Sequence, residues 1–187
     1  MKLPIYASAA LLAAFSTSVL AQNRRPAPAN LQAQAQPAAA PDGSVRTERS
    51  VFDSWITTCQ EVVGDAKSKR CSAVLSIVEE QSKRVAFVWT IGKNAVGAPT
   101  AVLTTPTGVN LQNGLELKIG KGKSRKLAFS ACDATSCEVV MPLDEGVLRD
   151  ARTGEDASAS ITMKDGRTVQ FSIINKGFDK ALAAIRS

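Results

Sequence analysis

The stretch Phe129-Ser130-Ala131-Cys132-Asp133-Ala134-Thr135-Ser136-Cys137-Glu138-Val139-Val140-Met141 places two cysteines at the ends of a very short loop. An apolar run with two valines follows the second cysteine, as is typical of a strand. We interpret the stretch as the tip of a β-hairpin that a disulfide closes. The two cysteines are then structural, and the mature chain is predicted to form a small β-rich domain around this hairpin.

Short segments with alternating or β-branched apolar residues recur along residues 49–187 and are separated by turn residues. This pattern predicts strands over residues 51–59, 71–78, 83–91, 100–105, 115–119, 126–132, 138–141, 157–164 and 167–174. Residues 64–70 are predicted to form a polar turn. Asp165-Gly166 is the strongest hairpin signal in the chain. Roughly eight or nine short strands with turns at this spacing predict an antiparallel sandwich or barrel.

Two segments show helical periodicity instead. The first has apolar residues at helical intervals, Leu143, Val147, Leu148 and Ala151. The second carries one apolar stripe near the C-terminus, formed by Phe178, Ala181, Leu182 and Ile185. We therefore expect a short internal helix and a C-terminal helix that packs on the sheet.

The N-terminal part has a different composition. Residues 1–21 have Lys2, a mostly apolar run and small residues before the expected cleavage point, as in a secretory signal peptide. The apolar run is shorter than the roughly 20 residues of a membrane span, and a retained anchor is the alternative. Residues 22–48 are rich in Ala, Pro and Gln and predict a disordered linker. The remaining residues, 49–187, suit a single domain.

The chain has 4 cysteines, and bridges are expected in an exported protein. Of the three possible connectivities, Cys59–Cys71 with Cys132–Cys137 fits the predicted strands, because each pair would join the two ends of one connection. A zinc site is the rival interpretation. The chain has no histidine and its expected compartment is oxidising, and both facts argue against zinc. No Cys-x-x-Cys motif occurs, so a redox-active pair is not expected.

The sequence offers little to support catalysis. The lack of histidine removes the usual Ser–His and Cys–His arrangements and the commonest metal ligand. No Ser-x-x-Lys motif occurs. Residues 120–124 resemble a phosphate-binding loop only superficially, because the first glycine of that motif is missing. We therefore expect that the protein is not an enzyme and binds no cofactor. A deep pocket with convergent Asp, Lys or Arg groups would instead favour an enzyme.

The formal net charge of +6 favours acidic partners, and the alternative explanation is that the charge only keeps the protein soluble. Five basic residues surround one predicted turn and form a possible anion-binding site: Lys118, Lys121, Lys123, Arg125 and Lys126. Three more could extend it, Lys67, Lys69 and Arg70. The alternative is a solvated hairpin whose charges discourage edge pairing. Nucleic acid is not expected, because the aromatic residues do not interleave with the basic ones. Trp55, Trp89, Phe87 and Phe129 are expected in the core.

Several features follow one another in a distinctive order: Trp55 shortly before Cys59, Cys71 opening the next strand, PTGVNLQNGL at residues 106–115, Phe129 with Cys132 and Cys137, and Gly177-Phe178 before Ala181. Together they resemble the invasion-associated locus B family, a group of exported proteins of alphaproteobacteria. The resemblance covers about residues 51–185. It implies an immunoglobulin-like β-sandwich in the periplasm or at the outer membrane, with structural cysteines. Members in pathogens are linked to entry into host cells, and the family has no agreed catalytic residues.

These observations predict an exported, non-enzymatic cell-envelope protein that acts by binding and contributes to host-cell invasion or envelope function. Its partner would be an unidentified protein or an anionic component of the envelope or host surface. No transmembrane span is expected after removal of the signal. The alternative is an envelope structural or chaperone-like module that pairs a sheet edge with client strands, which a long uncovered edge strand would favour.

Overall fold

A computed structural model describes residues 43–186, so the predicted signal peptide and most of the predicted linker lie outside the described residues. Eleven strands and two helices follow one another in this part of the chain. They are β1 Val45–Phe52, β2 Trp55–Val62, β3 Asp65–Val78, β4 Val85–Lys93, β5 Pro99–Pro106, β6 Leu115–Ile119, β7 Arg125–Leu127, β8 Ala131–Cys132, β9 Ser136–Pro142, α1 Glu145–Arg152, β10 Ala157–Thr162, β11 Thr168–Ile173 and α2 Phe178–Arg186.

The strands form two antiparallel sheets. A seven-stranded sheet has the order β1-β2-β3-β4-β5-β9-β8, so its first five strands are a simple meander. A four-stranded sheet has the order β11-β10-β6-β7. Buried residues of both sheets share one core, in which the rings of Phe87 on β4 and Phe171 on β11 lie 5.2 Å apart. The prediction of an all-β antiparallel sandwich with an internal and a C-terminal helix is confirmed.

Strand β6 shows how the alternating pattern builds this core. Leu115, Leu117 and Ile119 are buried, whereas Glu116 and Lys118 between them are exposed. Successive side chains of a strand point to opposite faces, so one face packs inward and the other meets solvent. The four-stranded sheet therefore has an apolar inner face and a polar outer face.

Both predicted helices are present. Asp144 caps α1 by accepting a hydrogen bond of 2.7 Å from the Val147 backbone N–H, which satisfies one free donor of the first turn. All four residues of the predicted stripe on α2 are buried, and the helix packs against β2 and β3. The buried Asn175 connects the two helices, because its side-chain amide donates a hydrogen bond of 2.9 Å to the Ala151 carbonyl in α1.

Three aromatic side chains hold α2 on the seven-stranded sheet. The ring of Trp55 lies 5.5 Å from Trp89 and 5.5 Å from Phe178, in edge-to-face arrangements. Trp89 lies 6.2 Å from Phe178. Trp55 and Trp89 are fully buried and Phe178 nearly so, so the two tryptophans belong to the core, as expected. Edge-to-face pairs add stability beyond the area that the rings bury.

The first part of the domain differs from the prediction. Strand β1 begins at Val45, so the predicted boundary at residue 49 is wrong, and residues 45–48 are not linker. Residues 51–59 are not one strand, because Asp53 and Ser54 form a tight turn between β1 and β2, with Asp53 at a positive φ of 53°. The sequence pattern missed β1 because nearly all its residues are exposed and show no alternation.

Residues 64–70 are not a polar turn either. Strand β3 already starts at Asp65 and pairs with β2 in a register that opposes Gln60 to Arg70. Residues 126–132 are also not one strand. Leu127 ends β7 in the four-stranded sheet, and the chain then crosses to form β8 in the seven-stranded sheet. The polar residues at the start of β3 form a strand because hydrogen bonds to the β2 backbone hold them there, and not because their side chains are buried.

The two predicted disulfides are present, and they leave no free cysteine among the described residues. Each bridge joins residues that stand directly opposite each other, Cys59 with Cys71 on β2 and β3, and Cys132 with Cys137 on β8 and β9. Both therefore fix strand register. Because each of the four sulfurs is in a disulfide bond, no thiolate remains to bind zinc at the rival site.

The glycine before α2 should be essential for stability. Gly177 has a φ of +92°, and a Cβ at this position would overlap the carbonyl oxygen of Phe52. We expect Gly177→Ala to lower the free energy of unfolding by about 3 kcal/mol or more. Gly154→Ala is the matched control, since Gly154 also has a positive φ of +71° but has open space around it. It should cost only about 1 kcal/mol. Equal losses in urea titrations would contradict the role of this close approach.

The disulfides should contribute unequally. The Cys59–Cys71 bridge spans 12 residues and the Cys132–Cys137 bridge spans 5. The larger loop restricts the unfolded chain more, so replacing both of its cysteines by serine should cost about 3 kcal/mol, against about 2 kcal/mol for the smaller loop. Urea titrations of the two double variants test this order. Free thiols in the unreduced wild-type protein would contradict the pairing itself.

Candidate binding surfaces

The predicted anion-binding residues lie on one hairpin at the edge of the four-stranded sheet. Lys118 is on β6, Lys121 and Lys123 are in the turn, and Arg125 and Lys126 are on β7. We call these five residues the basic hairpin. The other basic group, Lys67, Lys69 and Arg70, lies on β3 in the seven-stranded sheet. The structure thus places the two groups in different sheets.

Carboxylates already engage part of the basic hairpin. The Arg125 guanidinium lies 3.3 Å from the Asp144 carboxylate, and the Lys121 ammonium lies 3.3 Å from the Glu155 carboxylate. The pKa of Asp144 is lowered, first by the hydrogen bond from the Val147 N–H and also by the charge of Arg125. Within residues 43–186, the remaining members make no ion pair, namely Lys118, Lys123 and Lys126.

The loop between Cys132 and Cys137 is built as a turn and does not present a free functional group. The Asp133 carboxylate accepts backbone hydrogen bonds of 2.7 Å from Thr135 and 2.7 Å from Ser136, and a third from the Thr135 hydroxyl. The backbone bonds lower the pKa of Asp133 to about 2, because they stabilise its charged form. The carboxylate and the disulfide therefore both serve to close the loop.

The outward face of the seven-stranded sheet, opposite the core, is a surface that the sequence reasoning did not identify. One uncharged row crosses six strands through successive cross-strand partners, Val51, Ile56, Val74, Thr90, Val102 and Val140. We call it the β-branched row. Its end residues Val51 and Val140 are 67% and 51% exposed. The sequence feature that indicates this row is the nearly continuous apolar run of β4, which is typical of a strand with two apolar faces.

A groove opens at one corner of the same sheet, where β3 extends past the end of β4. We call it the corner groove; its volume is about 770 Å³. Residues of both sheet faces line it. Arg70, Thr100, Val102 and Val140 lie on the outward face, whereas Lys69 and Lys93 alternate with outward-facing neighbours and lie on the face toward α2. Of the three cations in this lining, Lys69 and Arg70 belong to the second predicted basic group, and Lys93 was not predicted.

Strand β1 forms one edge of the seven-stranded sheet. It is eight residues long, and only Phe52 is shielded from solvent. Within the described part of the chain, its far side has no strand partner. The Val63 N–H donates a hydrogen bond of 2.8 Å to the Ser44 carbonyl, so the backbone groups of Ser44 point toward β2. In an antiparallel ladder the direction alternates, so the backbone groups of every second residue of β1 point away from β2. Val45, Thr47, Arg49 and Val51 thus offer backbone donors and acceptors to solvent.

Neither α1 nor α2, nor any other helix described between residues 43 and 186, is long and apolar enough to cross a membrane.

Comparisons with known proteins agree on one family. The sequence model described as "Invasion associated locus B (IalB) protein" matches residues 55–186. The crystal structure of invasion associated protein B from Bartonella henselae is similar, with a TM-score of 0.63, 20% sequence identity, and coverage of 74% of this chain and 96% of that chain. At this identity the similarity shows a shared fold. No curated protein sequence matches the chain. Because the family match spans most of the sequence, including both disulfides and both helices, the chain belongs to the invasion associated locus B family.

Proposed function

We propose that this chain is an exported cell-envelope protein that acts by binding and contributes to host-cell invasion or to envelope function. The observation that carries the proposal is the β-branched row, an uncharged strip across six strands of the seven-stranded sheet. Contiguous apolar surface of this kind marks interaction sites in proteins. Family membership supports the proposed contribution to invasion, because the protein in the similar crystal structure is named an invasion associated protein.

Export is supported by the two disulfides, since such bonds persist in oxidising compartments. We place the protein in the periplasm or at the outer membrane, delivered by a signal peptide at residues 1–21. A non-enzymatic role is supported by how its reactive groups are used. All four cysteines are bridged, and the three carboxylates with lowered pKa serve two turns and a helix cap.

A charge placed on the outward face should weaken binding. Thr90 and Thr104 lie on that face of β4 and β5, and Ser158 and Ser160 lie on the outer face of β10. We expect Thr90→Lys with Thr104→Lys to weaken retention of the purified chain by host cells or by outer-membrane extract about tenfold, because lysine would be desolvated in the interface. Ser158→Lys with Ser160→Lys adds the same charge to a central strand of the other sheet. Equal retention of both variants would overturn the assignment of the surface.

A second candidate function is favoured by β1, the kind of uncovered edge strand that suits a chaperone-like or structural module. Client strands would add to its free backbone groups. Proline at Thr47 would remove one outward N–H and is tolerated on an edge strand. If pairing at this edge is the function, Thr47→Pro abolishes suppression of client aggregation, while the two outward-face lysines leave it intact.

The basic hairpin is expected to make weak, salt-sensitive contact with anionic lipid or lipopolysaccharide. Its three unpaired lysines should carry most of this contact, since Arg125 and Lys121 have carboxylate partners. We expect replacement of Lys118, Lys123 and Lys126 by glutamine to lower co-sedimentation with phosphatidylglycerol vesicles several-fold. Arg125→Gln with Lys121→Gln, the control, should lower it less. Unaltered sedimentation of the triple variant would show that the hairpin is only a solvated edge.

A further inference from the structure

We propose that strand β1 pairs antiparallel with β1 of a second copy of this chain, about a two-fold axis between their Thr47 residues. The inference does not rest on the proposed binding function, because it concerns the edge of the seven-stranded sheet and not its outward face. An exposed edge strand offers a row of unpaired N–H and C=O groups that another strand can complete. A second copy presents the same row, so two copies can satisfy each other.

Among residues 43–186, β1 is the longest of the strands that form the edges of the two sheets. It has eight residues, whereas the edge strands β7 and β8 have three and two. The remaining edge strand, β11, has six residues and none of them is charged, so charge cannot select its register. Strand β1 carries charges of both signs, at Arg46, Glu48 and Arg49. It is therefore the edge at which length and charge together can specify a partner.

The backbone of β1 restricts the registers that a second copy can adopt. Its outward backbone groups belong to alternate residues, Val45, Thr47, Arg49 and Val51, and only these can bond to another strand. Each of them must therefore stand opposite a member of the same set. In an antiparallel pair this holds only if the two-fold axis relates a residue to its own copy, and not if the axis passes between two neighbours.

The charges favour one of these registers. If Arg46, Glu48 or Arg49 stood opposite its own copy, two like charges would face each other, which is destabilising. With Thr47 at the axis, Arg46 instead faces Glu48 of the second copy, and Glu48 faces the second copy's Arg46. Threonine opposite threonine is itself a favourable cross-strand pair. An axis nearer either end of β1 would leave fewer residues paired.

Both side chains of this cross-copy ion pair are accessible. Arg46 and Glu48 lie on one face of β1, are 60% and 66% exposed, and approach each other only to 4.0 Å. In the dimer they would occupy non-hydrogen-bonded positions, where opposite side chains come closest. A strand whose charges served only to repel other strands would carry a single sign. This face of β1 carries both signs, in the order that matches its own reverse.

Such a dimer joins the larger sheets of two copies into one. The two-fold axis of an antiparallel strand pair runs perpendicular to the sheet, so the outward faces of both copies lie on the same side. The β-branched row starts on β1 at Val51, and the dimer therefore presents two such rows on one surface. A target with more than one docking point gains avidity from this arrangement.

The first test is sedimentation velocity of the purified chain from about 1 to 500 µM. We expect a monomer–dimer equilibrium in the micromolar range, because a single strand pair is a small interface. Hydrogen exchange resolved to single residues should show the pairing. At the higher concentration, protection of the Val45, Thr47 and Arg49 amides should rise about tenfold. The amides of Arg46 and Glu48 already bond to β2 and should not change. A chain that stays monomeric, or a uniform change along β1, would overturn the proposal.

Charge-reversal variants test the register. Glu48→Lys and Arg46→Glu should each weaken dimerisation at least about tenfold, because each places like charges opposite each other. An equal mixture of the two variants should associate as the wild type does, since one copy then contributes only basic and the other only acidic residues at these positions. If neither variant weakens dimerisation, or if the mixture does not associate, the register is wrong. Exchange in the wild type decides the pairing even if one variant fails to fold.

Arg49→Glu is the matched control. It makes the same charge change on the same strand as Arg46→Glu, but in this register Arg49 stands opposite Val45 of the second copy. Its dimerisation constant should stay within about threefold of the wild-type value. A loss equal to that of Arg46→Glu would show a general effect of charge on the edge and would contradict the register.

The same experiments separate a second copy from the other occupant of this edge. If the wild type is monomeric at every concentration but Thr47→Pro still abolishes suppression of client aggregation, the edge binds client strands and the dimer is wrong. Failure of the dimer is also distinct from failure of the proposed function. Thr90→Lys with Thr104→Lys lies on central strands and should dimerise as the wild type does. A monomeric chain whose retention by cells still falls with these two lysines refutes the dimer alone.

Discussion

The packing of Trp55, Trp89 and Phe178 is the contact on which the rest of the structure depends. It is the point where the terminal helix meets β2 and β3 of the seven-stranded sheet. The contact has a cost, because neither indole N–H has a hydrogen-bond acceptor among the described residues. Each such donor costs about 1–3 kcal/mol. Burial of three large rings, with two edge-to-face contacts among them, offsets that cost.

The path of the chain just before α2 is determined by the same contact. Phe178 can reach the tryptophans only if the chain before it passes close to the β1–β2 turn, and Gly177 allows that approach. Two polar links then hold the crossing in place. The Ser54 N–H donates to the Lys176 carbonyl, and the Lys176 ammonium lies 3.0 Å from the Asp53 carboxylate. Because α2 and the four-stranded sheet both pack on the inner face, the outward face of the larger sheet has no packing layer among the described residues.

The sequence predicted those features that depend on local pattern. Apolar side chains at i, i+3, i+4 and i+7 identified α2, and strict alternation identified β6. The cysteine pairing also followed, because each pair ends one connection between strands. Strand β1 and the start of β3 could not be predicted in this way. Their residues are polar and exposed, and they are strands only because a neighbouring backbone offers hydrogen bonds, which no side-chain periodicity records. The division of residues 126–132 between two sheets is likewise a property of the whole sandwich.

Charge shows the same difference between proximity in sequence and proximity in space. Five basic residues within nine positions look like an anion site, yet the fold brings Asp144 and Glu155 to two of them from α1 and from the segment after it. Lys67, Lys69 and Arg70 were predicted to extend this site, yet the fold places them on β3 in the other sheet. A cation attracts an external anion only in proportion to the field that its neighbours leave uncancelled. The density of basic residues along the sequence therefore overstates the field at the basic hairpin, because the fold brings two carboxylates to it.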